Sequence, residues 1–348
     1  MSVTGQASTG SERELLEAAR RGDEDAYGRL VEPHRGALHA HCYRMLGSVS
    51  DAEDALQEAL LRAWRGLPGF EGRSSLRSWL FRIATNTCLR AIKRRPKRVL
   101  PVDFGPPRGP HGRPGEPLVE SVWIEPYPDE GLGVASAVVA PEARYEQREG
   151  VELAFIAALQ QLPARQRAVL ILCDVLGFSG GEVADALETT TASVYSALQR
   201  AHRAVDERLP AQSQQATLRA LGDAALRDVV RAYVDAWERG DVDAVVAMLT
   251  EDALIAMPPM AAWYSGREAV AAFLRGWPLA TGRRWRLLPV GANGQLAFGH
   301  YITDEATGRY VPHGINVLTL RGARISEITA FLTPEAFGRF GLPEQPPS

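Results

Sequence analysis

The sequence predicts a multidomain protein in which two all-α helical units precede an α+β unit. Apolar residues recur at helical spacing through residues 11–95 and 146–209, and the second stretch contains a helix-turn-helix pattern. A Pro/Gly-rich segment separates these stretches. The last third instead combines helical patterns with short strand-like runs. With 348 residues and 45% hydrophobic content, the chain is long enough for several cores.

The first helical unit is organised around a helix that starts near Asp51. Its apolar positions, from Ala52 to Ala63, recur at helical spacing and form one stripe that is expected to be buried. The outward face includes Leu61, an apolar residue that has nothing of its own to pack on. Such a face predicts a protein partner. The candidate contact residues are Asp54, Gln57, Glu58, Leu61 and Arg65.

A strongly basic stretch follows this helix, with nine Lys or Arg and no Asp or Glu from Gly72 to Arg98. In the loop before it, Phe70 could stack on an unpaired base while the cations hold the strand's backbone. Alternatively, Phe70 is a core aromatic and the basic side chains are only solvated. Arg82 could instead support the fold. The candidate nucleic-acid contacts are Phe70, Arg73, Arg77, Asn86, Arg90, Lys93 and Arg94.

These two stretches resemble a known family. Asp51-Ala-Glu-Asp-Ala-Leu-Gln-Glu, followed by Phe70-Glu-Gly-Arg-Ser-Ser-Leu-Arg-Ser-Trp-Leu-Phe-Arg-Ile-Ala-Thr-Asn, is similar to domain two of the extracytoplasmic-function (ECF) sigma factors of the sigma-70 superfamily. The resemblance implies that the first helix grips the clamp helices of the largest RNA polymerase subunit. It also implies that the loop and basic helix open and hold the minus-ten promoter element.

The second helical unit is predicted at 145–210 and ends in the helix-turn-helix. Ser179–Leu187 and Ser193–Arg203 supply its two helices, and Leu162-Pro-Ala-Arg-Gln-Arg-Ala precedes them. This order resembles sigma domain four, which reads the minus-thirty-five element. The pair Gly180-Gly181 departs from the pattern, because two glycines make a helix start flexible. The candidate duplex-DNA contacts are Ser193, Ser196, Gln199, Arg200 and Arg203.

Two linkers are expected around these units, which gives the first unit the bounds 11–98. The segment 99–144 is predicted to be semi-extended, because Val99–Pro141 contains nine Pro and six Gly. An apolar patch around Trp123 interrupts it and predicts that the linker docks on a domain or inside the polymerase. Its Trp-Ile-Glu-Pro-Tyr-Pro run resembles an ECF subgroup with an extra C-terminal domain. The segment 211–222 is predicted to be a Gln/Ser-rich second linker.

The segment 223–345 is predicted to be an α+β unit with two helices, a strand, a further helix and an antiparallel sheet. Its Tyr233-Val-Asp-Ala-Trp-Glu-Arg-Gly-Asp and Met257-Pro-Pro-Met-Ala-Ala-Trp-Tyr-Ser-Gly runs resemble the SnoaL-like, nuclear-transport-factor-two-like fold. That resemblance implies a cone with an open pocket, although the same aromatics would also suit a plain core. The candidate lining residues are Trp263, Tyr264, Trp285, His300, Tyr301 and His313.

Composition and spacing argue against several other classes. No apolar run is long enough to span a membrane, and an odd count of three well-separated cysteines favours a reducing cytoplasm over a disulfide framework. The cluster of His34, His39, His41 and Cys42 has poor spacing for metal ligands, because residues two apart on a helix point in different directions. We therefore expect no metal and no cofactor.

Together the patterns predict a cytoplasmic sigma factor that is not itself an enzyme. Its partners would be core RNA polymerase and promoter DNA, both as duplex and as melted strand, with no membrane contact. The C-terminal unit is expected to regulate the factor in cis. Alternatively, that unit binds or converts a small molecule, which would make the chain a bifunctional, ligand-responsive regulator. A conventional helix-turn-helix repressor also remains open, although it would not need the face around Leu61.

Overall fold

The computed structural model describes residues 4–118, 122–132, 150–280 and 282–347. Contacts within the chain divide it into two units. The first unit takes in the chain up to Arg95 together with Gln161–Glu207. The second takes in most of Pro96–Gln160 and everything from Arg208 onward. The sequence-based domain bounds therefore stay predictions, since the two helical stretches cluster largely together and most of the first linker clusters with the C-terminal part.

The helices of the described chain are numbered here in chain order. They are α1 (Thr4–Arg20), α2 (Glu24–Leu46), α3 (Val49–Gly66), α4 (Leu76–Ile92), α5 (Pro101–Phe104), α6 (Leu153–Gln161), α7 (Ala164–Leu170), α8 (Gly180–Ala186), α9 (Thr191–Asp206), α10 (Gln214–Glu238), α11 (Val242–Ala247) and α12 (Arg267–Gly276). A π-helical turn, Ile171–Val175, continues α7. No helix among these described residues is long and apolar enough to cross a lipid bilayer.

Short local hydrogen bonds set the helix starts in the first unit. Asp23 accepts from the Ala26 amide at 2.9 Å to cap α2, and Ser75 accepts from the Ser78 amide at 3.0 Å to cap α4. Gly47 ends α2 in the left-handed region, with φ of 71°. Helices α2, α3 and α4 pack against one another and form the helical core of this unit.

The helix-turn-helix is also defined by its caps. Ser179 and Glu182 form a reciprocal capping box at the start of α8. Thr190 accepts from the Ser193 amide at 3.2 Å to start α9. On the inner side, Val194 and Ala201 of α9 are fully buried. The opposite side of α9 therefore remains exposed, as the sequence predicted.

The second unit contains one six-stranded sheet. Its strands are β1 (Leu249–Ala256), β2 (Trp263–Ser265), β3 (Trp285–Ala292), β4 (Gln295–Thr303), β5 (Tyr310–Arg321) and β6 (Arg324–Phe331), in the order β2-β1-β6-β5-β4-β3. Only the β1–β6 pair is parallel among these described strands. Helices α10 and α12 pack on the sheet, where Tyr233 meets Phe298 with ring centroids 4.8 Å apart.

The structure differs from the second predicted linker, 211–222. Ser213 accepts from the Ala216 amide at 3.1 Å, and α10 begins at Gln214. The helix kinks at Gly222, whose φ of 71° is left-handed. Polar composition suggested a linker, but Gln214 and Gln215 are buried and hydrogen-bonded within the second unit.

His41 lies in the helical core. Its Nε2 is 2.9 Å from the Thr85 hydroxyl, which donates to the Phe81 carbonyl and therefore accepts from His41. Among the described residues, no group of three or more His, Cys, Asp or Glu side chains is placed to hold a metal ion. Burial, with a smaller contribution from Arg44, lowers the pKa of His41 to about 3.

This buried histidine makes the helical unit sensitive to acid. The unfolded chain binds the proton near the ordinary pKa of 6.5, while the folded chain resists it until about pH 3. The contribution of His41 is thus present above pH 6.5 and lost as the pH falls, by about 2 kcal/mol at pH 5. Between pH 7 and pH 5, the native chain should lose about 2 kcal/mol more unfolding free energy than H41Q, whose amide can still donate to Thr85.

The measurement is denaturation by urea at both pH values. H111Q changes an exposed histidine and serves as the matched control, with native behaviour expected. An H41Q variant with the full native pH dependence would contradict the assignment.

Candidate nucleic-acid and protein-binding surfaces

The outward face of α3 presents the predicted partner residues together. Asp54, Gln57, Leu61 and Arg65 are exposed, with Leu61 45% exposed, and Glu58 is half-buried beside Arg62 at 2.5 Å. Among the four exposed residues, Asp54 alone has an ion-pair partner within the described chain. Its carboxylate lies 3.6 Å from the guanidinium of Arg95.

A groove of mixed polarity lies beside this face, between α2 and α3, and Glu24, Arg35 and Glu53 line it together with apolar residues. It has a volume of about 670 Å³ and takes Tyr27 and Val31 from α2 and Leu61 and Trp64 from α3. The Tyr27 and Trp64 rings are 5.0 Å apart, and the Tyr27 hydroxyl donates to the Leu60 carbonyl at 2.6 Å. The sequence identified Leu61 but not the groove, because the groove needs α2 and α3 to be packed side by side.

The loop before α4 forms a polar cavity of about 240 Å³. Phe70 and Trp79 both line it, with ring centroids 4.9 Å apart, and Arg73 and Arg82 stand at its sides. Phe70 is only 7% exposed. It therefore packs as a core aromatic whose edge lines the cavity. Arg82, expected to support the fold, is exposed beside the same cavity.

The later part of α4 keeps its basic face open. Arg90, Lys93 and Arg94 are exposed, and Asn86 is half-buried on the same helix. At the start of the stretch, Arg73 is exposed and pairs with Glu71. These residues leave a row of cations along α4 that suits a phosphate backbone.

Arg77, also predicted to contact DNA, is engaged by the helix-turn-helix part of the same unit. Its guanidinium donates to the Leu176 carbonyl at 2.8 Å and lies over the Phe178 ring at 4.4 Å. Burial lowers the pKa of Arg77, while the Glu182 carboxylate opposes that shift. Next to it, the Ser78 hydroxyl donates to Glu182 at 3.0 Å. The first turn of α4 therefore contacts the helix-turn-helix part, while the Arg77 side chain itself remains largely exposed.

Arg167 makes a second connection of this kind. It is 5% exposed and reaches from α7 to the Met45 carbonyl at the end of α2, at 2.5 Å. A second nitrogen donates to the Leu162 carbonyl at 3.2 Å. Burial lowers the pKa of Arg167 to about 10, so the side chain stays cationic at neutral pH. The helices before and after the linker thus share buried polar contacts within the first unit.

The reading face of α9 is open. Its predicted contact residues are all exposed, namely Ser193, Ser196, Gln199, Arg200 and Arg203. Tyr195 stands beside them and is 58% exposed. Sequence analysis did not select Tyr195, because an aromatic residue at that position can equally belong to the core; its exposure is the signal that identifies it.

The predicted pocket of the C-terminal unit is much smaller than expected. A cavity of about 40 Å³ is lined by Trp285, His300 and His313, together with Trp237 and Asn316. Burial holds the pKa of His300 well below its usual range, with His313 adding to the effect, so His300 is neutral. Ligand pockets usually enclose several hundred Å³, whereas this space suits one or two water molecules.

Three of the six predicted lining residues lie elsewhere, which corrects that prediction. Tyr301 follows His300 in β4, and successive strand residues point to opposite faces. Its ring packs on Phe337, with centroids 5.0 Å apart. Trp263 and Tyr264 instead hold the docked linker: the indole N–H of Trp263 donates to the Gly105 carbonyl at 2.7 Å, and the Tyr264 hydroxyl donates to the Gly112 carbonyl.

Comparison with known proteins agrees with the three parts of the chain. Models of sigma-70 region 2, sigma-70 region 4 and the SnoaL-like domain match residues 30–98, 152–205 and 230–328. ECF RNA polymerase sigma factor SigG of Mycobacterium tuberculosis H37Rv is 42% identical over 329 residues, which cover 93% of this chain and 85% of SigG. The chain belongs to the ECF RNA polymerase sigma factors. This confirms the predicted family and fold class.

Other relatives match part of this sigma factor or its fold. ECF sigma factor SigW of Bacillus subtilis is 27% identical over 202 residues, covering 57% of this chain and 96% of SigW. The crystal structure of the M. tuberculosis ECF sigma factor SigJ has 23% identity and a TM-score of 0.56, covering 89% of this chain and 97% of SigJ. At that identity the likeness shows a shared fold. As a sigma factor, the chain binds core RNA polymerase and promoter DNA and directs promoter-specific initiation, within a family that is not enzymatic.

The described part of the linker of this sigma factor packs with the C-terminal domain in the second unit. Trp123 is buried, and Arg98 donates to its carbonyl at 2.8 Å. Further along, the Arg108 amide donates to the Trp263 carbonyl at 2.8 Å and the Leu118 amide to the Pro259 carbonyl at 3.0 Å. The linker is thus semi-extended but held along much of its described length.

A buried polar cluster at the β3–β4 hairpin fixes the end of that linker. Asn293, fully buried at the turn, accepts from the Tyr127 amide at 2.8 Å and donates to the Val151 carbonyl at 2.7 Å. Its own amide donates to the Tyr127 carbonyl at 2.8 Å. The next amide, Gly294, donates to Asp129 at 2.7 Å. One turn therefore binds both the linker and the segment that leads into region 4.

The same cluster holds the segment that follows region 4. Glu152, 5% exposed, accepts from the amides of Gln214 and Gln215 at 3.0 and 2.9 Å. Gln295 accepts from the Leu153 amide at 2.9 Å. We call these residues, together with Asn293, the hairpin clamp. It gathers the chain on both sides of region 4 at one place in the second unit.

Proposed function

We propose that this sigma factor engages core RNA polymerase through the exposed face of α3 and the groove beside it. The observation that carries the proposal is Leu61, an exposed apolar side chain at the edge of a groove of about 670 Å³. Apolar groups that enter a groove beside a polar rim are typical of protein interfaces. Polymerase and promoter meet in the cytoplasm, and we place the action of this protein there.

The DNA contacts follow along the same unit. The cavity at Phe70 and Trp79 offers a place for an unstacked base, and Arg90, Lys93 and Arg94 offer charge for the strand's backbone. The open face of α9 would read the upstream duplex, with hydroxyl and amide groups nearest its start and arginines further along. Arg77 joins the melted strand only after the contacts with Leu176 and Phe178 open.

Leu61 provides the test of the polymerase surface. L61D is expected to weaken binding to core polymerase at least tenfold, because a carboxylate would be desolvated at the centre of an apolar contact. The exposed position leaves folding unchanged. V311D is the matched control, since Val311 is 38% exposed in the C-terminal domain. Native affinity of L61D, or equal losses in both variants, would contradict the proposed surface.

We also propose that the C-terminal domain regulates the factor in cis. The support is the docked linker and the hairpin clamp, which hold the chain on both sides of region 4. Because Arg77 and Ser78 contact the helix-turn-helix part, these contacts must open before Arg77 reaches the promoter strand, and a domain that restrains region 4 changes the free energy of that opening. A variant with a loosened clamp must therefore differ from the native chain in run-off transcription; equal initiation would contradict regulation through the clamp.

The small-molecule alternative finds less support. Of its six candidate residues, three line a cavity of about 40 Å³. The buried Nε2 of His300 has no hydrogen-bond partner within the described chain, and a water molecule in this space would satisfy it. Regulation by contacts within the chain needs no such ligand.

A further inference from the structure

Tyr195 is an exposed aromatic residue on the helix that faces DNA. It lies in the second turn of α9 between Ser193 and Ser196, two of the predicted contact residues, and is 58% exposed. The sigma-factor assignment explains the polar residues around it but gives no role to this ring. An exposed ring on a face that is proposed to bind DNA is available to contact the duplex.

The Tyr195 ring lies against the start of the first helix of the helix-turn-helix. A Cβ atom at Gly180 would lie 2.9 Å from both Cζ and Oη of Tyr195, closer than such atoms approach. Gly180 is not among the glycines with positive φ, so its backbone conformation does not require glycine. At Gly181, by contrast, a Cβ would meet only the Ser179 hydroxyl at 4.0 Å. A side chain at position 180 would therefore require the end of the Tyr195 ring to move from its present place.

We propose that Tyr195 contacts promoter DNA through its hydroxyl, which donates a hydrogen bond to a backbone phosphate beside the upstream element, and that Gly180 is its positioning residue. The inference rests on the proposed function of α9. In a helix-turn-helix the second helix enters the major groove, while the first helix crosses the sugar–phosphate backbone. The Tyr195 hydroxyl lies at the start of the first helix, α8, and so stands on the backbone side of the reading face.

A phosphate contact by a neutral hydroxyl has a distinct signature. It orients the protein on the duplex without reading bases, so its loss weakens every upstream sequence equally. It also releases no counterion, so the salt dependence of binding stays as it was. Arg200 and Arg203 on the same helix would behave differently, because removing a cation reduces the salt dependence.

The test uses holoenzyme assembled from core polymerase and the full chain, with binding to promoter duplexes that carry a randomised upstream element. Y195F, which lacks only the hydroxyl, is expected to bind about 3- to 10-fold more weakly across the whole library. Y310F, on β5 of the C-terminal domain, is the matched control with native binding expected. Native binding by Y195F overturns the proposal, and a loss confined to one base pair overturns the phosphate assignment.

Gly180 gives an independent variant. G180A should weaken binding in the presence of Tyr195 by displacing the ring, although alanine itself favours the helix. In a Y195A background, G180A should cause no further loss of binding, because the ring that it would displace is absent. Equal losses from G180A in both backgrounds would overturn the positioning role. If the native holoenzyme bound no promoter at all, the proposed function would fail and this inference with it.

Discussion

Replacing Asn293 with glycine is expected to cost the C-terminal unit about 3 kcal/mol of unfolding free energy. The substitution removes the side-chain bonds to the Tyr127 amide and the Val151 carbonyl, at 2.8 and 2.7 Å, in a fully buried site. Each buried group that loses its partner costs about 1–3 kcal/mol. Glycine keeps the turn, because position 293 has a φ of 55° that most other residues adopt only with strain.

The measurement is hydrogen exchange in the full chain, which reports each segment separately. Residues 122–129 and 150–153 should lose protection in N293G, while the helices of the first unit keep theirs. A323G changes an exposed residue in the β5–β6 turn and is the matched control for added backbone freedom. A loss below about 1 kcal/mol would mean that other contacts of the clamp hold these segments without Asn293.

The same variant tests regulation in cis. Once residues 150–153 are released, region 4 is less restrained on that side, so the free energy for opening the contacts of Arg77 with Leu176 and Phe178 changes. Run-off transcription by N293G with core polymerase should therefore differ from that of the native chain and of A323G. Faster initiation would make the clamp a brake, and slower initiation would make it a support.

Local features of this fold could be predicted from the sequence because they depend on neighbours a few positions apart. The caps of Asp23, Ser75 and Thr190 each join residues separated by three positions. The exposed face of α3 follows from helical spacing in the same way. The order of motifs was sufficient to predict the family, since regions 2 and 4 each carry a long, ordered pattern.

Features made by distant residues could not be predicted in that way. The hairpin clamp joins Asn293 to Val151, and Gln214 to Glu152, across wide gaps in the chain, and neither pair belongs to a periodic pattern. The composition around Gln214 even suggested a flexible linker. The predicted pocket was wrong for Tyr301 because fold resemblance grouped aromatic residues without assigning each to a face of the sheet.

Replacing Arg167 with alanine is expected to cost the first unit about 3–5 kcal/mol. The side chain is 5% exposed and donates to the Met45 carbonyl at 2.5 Å and the Leu162 carbonyl at 3.2 Å. Its loss removes two charge-assisted hydrogen bonds and leaves a cavity where the long side chain was packed. Because those bonds join the end of α2 to α7, hydrogen exchange should accelerate in both helices.

Arg165 provides the matched control on the same helix. It is exposed, so R165A makes the same chemical change without touching the buried contacts, and it should remain within about 0.5 kcal/mol of the native chain. If R167A and R165A unfolded at the same denaturant concentration, the buried arginine would not hold region 4 to region 2. If R167A alone were destabilised and amides in the first turn of its α4 exchanged faster, the contacts of Arg77 with Leu176 and Phe178 would depend on Arg167.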